Sequence, residues 1–133
     1  MITGTVTPAR EAILRLRIHG AGGQVQATEA AVETGFNGCL SLPPDLIALL
    51  GLQWTHREYA TPADGRTILT NMYKCAVEWD GQEFTIPVDE ADTGPVVGMS
   101  LMYGYKLTLP IRSGAKFNLR RLGKAKLDAH QLL

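Results

Sequence analysis

Two runs of alternating apolar residues meet at Asp80-Gly81, and that junction narrows what the chain can fold into. Before it, Tyr73, Cys75, Val77 and Trp79 fall on one face of YKCAVEW. After it, Phe84, Ile86 and Val88 fall on one face of EFTIPV. A period of two marks a strand with one face buried. Asp-Gly is a favoured two-residue hairpin turn because both positions tolerate positive φ. A second Asp-Gly, Asp64-Gly65, sits in the tip Ala63–Arg66 of another expected hairpin, spanning 57–79. In AILRLRIHG, Leu14, Leu16 and Ile18 alternate with Arg15 and Arg17, and Gly20, Gly22 and Gly23 follow as a turn. VQATEAAV, CLSL and Tyr105–Leu109 read as further strands.

One helix stands out. Pro44 and Asp45 open it, Gly51 closes it, and Leu46, Ile47, Leu49 and Leu50 give it an apolar face. Met99–Tyr103 reads as a turn or a second, shorter helix. The expected fold class is therefore mainly β, with one or two short helices.

A chain of 133 residues suggests one domain, burying roughly two-thirds of its unfolded surface. No apolar run approaches the ~20 residues of a membrane helix. The segment MITGTVTPAREAI lacks the basic region and apolar stretch of a signal peptide. Cys39 and Cys75 alone do not make a disulfide framework. The expectation is a cytoplasmic protein with reduced thiols and no membrane partner.

Charge is uneven along the chain. Residues 1–111 carry 7 Lys/Arg against 12 Asp/Glu, whereas 112–133 carry 6 against Asp128 alone. This suggests a domain over 1–111 and a basic C-terminal tail over 112–133, solvated or clasping a second subunit. Basic tails can track nucleic-acid phosphates. No aromatic-rich basic groove accompanies this one, so nucleic acid is not the expected partner.

Glu33-Thr34-Gly35 is the segment with chemical interest. A strand of small apolar residues runs into this acid-Thr-Gly, then Phe36-Asn37-Gly38, LSLP and a short helix ending in LGL. Ala63-Asp64-Gly65 follows at a hairpin tip, then Trp79-Asp80-Gly81, then VVGMSLMYG. This ordered set resembles the bacterial branch of the retroviral-like (clan AA) aspartic proteases over about residues 1–110. No single piece is specific, and the order is what carries the resemblance.

The resemblance implies a retropepsin-like closed β-barrel, a protein or peptide substrate and no cofactor. It places Glu33, Thr34 and Gly35 at the catalytic position, where the family carries Asp-Thr/Ser-Gly. Phe36, Asn37, Ala63, Asp64 and Gly65 would touch substrate from the cleft and flap. Metal-free peptide hydrolysis uses a water between two carboxylates, one taking its proton and the other polarising the carbonyl. One acid per chain gives half a site, so the implied enzyme is a symmetric homodimer.

Glu33 departs from the family's Asp. Its extra methylene moves the carboxylate by up to one C–C bond, about 1.5 Å, and a ~1 Å misplacement can cost ~100-fold in rate. Two readings follow: an aspartic-type endopeptidase slowed by Glu33, or an inactive protease-fold protein that binds peptides or serves as a dimeric scaffold.

Other candidates are weaker. Asp92-Thr93-Gly94 matches the family tripeptide literally, but Asp89-Glu90-Ala91 precedes it instead of an apolar strand, so it reads as a coincidental turn. His19, His56 and His130 show no metal-ligand spacing, and no metal is expected. Cys39 lies in an apolar strand with no His nearby in sequence, the setting of a packed thiol. Gly20–Gly23 lacks the Lys-Ser/Thr and helix of a phosphate loop. Trp54 and Trp79 read as core or flap-base residues.

Overall fold

Both residues of the Asp80-Gly81 turn have positive φ, 51° and 80°, as a two-residue hairpin requires. The hairpin pairs Trp79 with Gln82 and runs back to Met72 opposite Asp89. The computed structural model describes residues 1–60 and 65–123.

In chain order the elements are β1 (Ile2–Val6), β2 (Ala12–His19), β3 (Val25–Val32), β4 (Leu40–Leu42), α1 (Pro44–Leu50), β5 (Gln53–Ala60), β6 (Ile68–Trp79), β7 (Gln82–Glu90), β8 (Val96–Val97), α2 (Met99–Met102), β9 (Tyr105–Thr108) and β10 (Lys116–Arg121). The sheet order is β5-β6-β7-β4-β8-β3-β2-β1-β10-β9, and β6 also pairs with β2. That extra pairing joins β2, β3, β8, β4, β7 and β6 into a closed barrel of six strands. Closure removes the exposed edges that an open sheet would present.

The barrel interior holds the apolar halves of the alternating strands. Leu14, Leu16 and Ile18 of β2 are buried, with Val77 of β6, Val88 of β7, and Leu40 and Leu42 of β4. α1 adds Ile47 and Leu50. Pro44 starts α1, where its missing N–H costs nothing, and Gly51 ends it in the left-handed conformation, φ 59°.

β6 does more than the sequence suggests. Thr70 and Met72 are buried, then the phase of burial slips by one and Cys75, Val77 and Trp79 are buried. Residues 68–71 pair only with β5, and from Met72 onward the strand also pairs with β7 and becomes barrel wall. Tyr73, expected on the buried face, lies at the slip and is half-buried.

The basic segment enters the sheet as well. β10 lies between β1 and β9 (Asn118 faces Thr3 and Thr108), and it buries Phe117 and Leu119 completely. Its cations Lys116, Arg120 and Arg121 remain at the surface. Residues 124–133 lie outside the described residues.

Asp80 ties this added sheet to the barrel. Its carboxylate accepts from the Met1 amine at 2.6 Å and from the Tyr105 hydroxyl at 2.9 Å. Those donors, the amine first, hold its carboxyl below the usual range. Tyr105 also meets Trp79 edge-on, with ring centroids 5.9 Å apart.

If β10 belongs to the body of the fold, Phe117→Ala will destabilise it by about 3–5 kcal/mol, measured by chemical denaturation. An unchanged midpoint would place the segment after Ile111 outside the cooperative unit.

Candidate functional site

β3 carries the chain to Glu33 through three residues held by β8. Ala31 and Val32 pair in parallel with Val96 and Val97, and the Glu33 N–H donates to Val97 O at 2.9 Å. The chain then bends. Gly35 N–H donates to Glu33 Oε1 at 3.1 Å, and Phe36 N–H to Glu33 O at 3.2 Å. The Glu33 side chain is exposed, with its carboxylate folded back over its own turn.

The following loop is fastened to the start of α2. Gly98, Met99 and Ser100 donate their N–H groups to Cys39, Phe36 and Gly38 carbonyls at 3.0, 2.8 and 3.2 Å. The Ser100 hydroxyl donates to Asn37 O. Gly98 is the contact point: a Cβ there would lie 2.2 Å from Gly38 O and 2.6 Å from the Phe36 ring. Any side chain would push the loop away.

An open cleft of about 1340 Å³ lies over this bend, larger than the several hundred Å³ of a typical small-molecule pocket. It has three walls. The bend supplies Glu33, Gly35, Phe36 and Asn37; the β5–β6 hairpin supplies Glu58, Tyr59 and Ile68–Met72; the end of β7 and the bend after it supply Asp89, Glu90, Asp92 and Thr93. Thr34 points elsewhere, into a smaller, mainly apolar groove with Met99, Tyr103, Leu107 and Leu119. Gly65 is exposed at φ 83° and is not part of the cleft lining. Ala63 and Asp64 lie outside the described residues.

The third wall was not anticipated from sequence. Asp92 and Thr93, read there as part of a turn, do occupy an exposed bend, and they face the same cleft as Glu33. Asp89 and Glu90 extend β7 instead of opening the loop. The acidic run was visible in the sequence. Its position beside Phe36 depends on β4 pairing in parallel with β7, Leu42 against Glu90, which no local pattern announces.

Electrostatics single out Asp89. Burial, and then the neighbouring Glu58 carboxylate, raise its carboxyl above the usual range. Burial and Asp89 also raise the Cys39 thiol, and burial pushes Cys75 up to about 12. Neither cysteine is a thiolate at neutral pH, so neither is an activated nucleophile. Among the described residues no group of His, Cys, Asp and Glu is arranged to hold a metal ion, and no helix is long and apolar enough to cross a membrane.

A closed six-strand barrel, with an acid-Thr-Gly bend lodged against a Val-Val-Gly strand, is the architecture of the acid proteases, and this chain has the retropepsin-like fold. Among solved structures it is similar to a retropepsin-like aspartic protease from Rickettsia conorii. The TM-score is 0.59, with 16% identity over 89% of this chain and 87% of that one. No family model and no curated protein matches the sequence.

Asp89 gives a stability test. With its carboxyl raised, the native state binds that proton more tightly than the unfolded chain does. Stability therefore falls as pH rises from the ordinary value of 3.8 through the raised one, and the penalty persists above it. Asp89→Asn should raise the melting temperature at pH 7, and the gain should vanish below about pH 3.8. A variant less stable than the parent at pH 7 would contradict this account.

Proposed function

We propose that the protein is an aspartic-type endopeptidase acting as a homodimer, with Glu33 of each protomer facing its mate across a two-fold axis. The observation that carries this reading is the position of Glu33: exposed in a peptide-sized cleft, on a bend held by Val97 and Gly98. Two carboxylates that meet across an axis cannot both ionise cheaply, so they share a proton. The ionised one takes a proton from water as it attacks the peptide carbonyl, and the protonated one polarises that carbonyl. Gly35, lacking a side chain, leaves room for backbone and water beside the acids. Thr34 and the exposed Met99 and Tyr103 beside it suit the contact with the second copy. The β5–β6 hairpin would fold over an extended substrate and exclude water.

The extra methylene of Glu33 favours a second reading, a protein of the same fold that grips peptides or scaffolds a dimer without cutting. Activity separates the two. Under the first reading, unfolded protein substrates are cut slowly between pH 3 and 7, and pepstatin stops the cutting. Glu33→Asp then raises kcat/KM by up to ~100-fold, and Glu33→Gln abolishes turnover. Absence of pepstatin-sensitive cleavage in both the parent and Glu33→Asp would sink the protease reading. A chain that stays monomeric at high concentration would sink the shared site.

A further inference from the structure

Among the described residues, five carboxylates line the cleft, those of Glu33, Glu58, Asp89, Glu90 and Asp92, and no Lys, Arg or His does. Asp89, Glu90 and Asp92 have no ion-pair partner among the described residues. Among the described residues Glu58 pairs only with His56, at 2.7 Å, a contact that is ionic only when the imidazole is protonated. Arg57, on the same strand, turns its guanidinium to Asn71 instead. The described residues thus leave the negative charge of the cleft largely uncompensated.

The arrangement is not that of a metal cage, since no three of these groups converge among the described residues. It is spread over all three walls of an open trough, alongside the exposed apolar side chains of Tyr59, Ile68 and Leu69. Concave walls lined by one sign of charge focus the field on whatever occupies them. Like charges held close cost stability unless something offsets them, and burial beside Glu58 already lifts Asp89. An extended peptide alternates its side chains, so it can offer cations to the acidic wall and apolar groups to the hairpin.

We infer that the cleft selects extended peptides carrying Lys or Arg interspersed with apolar residues, and that Glu58, Glu90 and Asp92 set this preference. The inference rests on the reading of the cleft as a peptide site. It does not require that the peptide be cut.

Binding tests it directly. Three neutral-dye-labelled peptides share the same apolar residues and differ only in carrying Lys, Gln or Glu at alternate positions. Their affinities are measured by fluorescence anisotropy on the full chain carrying Glu33→Gln, which stops turnover. The Lys peptide should bind roughly tenfold more tightly than the Gln peptide, because several exposed pairs each add a few-fold. The Glu peptide should bind most weakly. Raising salt from about 50 mM to about 500 mM should shrink the ratio, and so should Glu90→Gln with Asp92→Asn. If that pair of substitutions unfolds the chain by circular dichroism, Glu58→Gln serves in its place. Equal binding of all three peptides, or a ratio unmoved in a folded variant, overturns the charge preference alone. Failure of every peptide to bind overturns the peptide-cleft reading, and this inference with it.

Discussion

The close approach of Gly98 to the loop at Phe36–Gly38 is the constraint on which the rest of the cleft depends. With a Cβ position only 2.2 Å from Gly38 O, the two backbones pass at a distance that no other residue type permits. Three N–H groups in succession, from Gly98, Met99 and Ser100, are then satisfied by loop carbonyls. β8 has just two residues, yet it pairs in parallel with β3 and antiparallel with β4. It therefore holds both ends of the segment that contains Glu33. The acid bend cannot shift without unpairing the barrel, and such rigidity is what a positioned reacting group needs.

The opposite wall is built on a different principle. β5 pairs with β6 alone, and β6 joins β7 only from Met72 onward. Residues 68–71 thus belong to a two-stranded arm that projects past the barrel. A two-stranded hairpin has little stability of its own. The slip in burial phase along β6 marks where the arm becomes barrel wall. Up to Met72 the buried side chains face the cleft; from Cys75 they face the core. The cleft thus lies between an acid bend fixed to the barrel and a lightly supported arm.

The sequence made most of this legible wherever the information is local. Asp80-Gly81, the alternation through Leu14–Ile18 and Cys75–Trp79, and the Pro44 to Gly51 helix each declare themselves within a dozen residues. Residue order located the acid bend, through Phe36-Asn37-Gly38 and Val96-Val97-Gly98. Non-local pairings were hidden. Residues 112–133 read as a basic tail because Lys and Arg outnumber the single acid there, and within 112–121 only Phe117 and Leu119, two residues apart, hint at a strand. What makes it one is a place between β1 and β9, more than 100 residues from the former. The acidic wall was hidden for the same reason, since β4 and β7 lie side by side only once the barrel has closed.

The double role of Asp80 shows how such distant parts are joined. Aspartate there satisfies the local demand for positive φ, 51°, which most residues resist. Asparagine or glycine would meet that demand as well. What they lack is the negative charge that draws in the Met1 amine and, at 3.8 Å, Arg121, while accepting from the Tyr105 hydroxyl. One turn residue thereby clamps β1, β9 and β10 to the barrel hairpin. Asp89, also a carboxylate on β7's hairpin, has the reverse balance: half-buried, beside another carboxylate, with no cation of the described chain to meet it. In the first case the fold uses the charge. In the second the fold is burdened by it, and local conflicts of that kind are expected where a surface serves a ligand and not the fold.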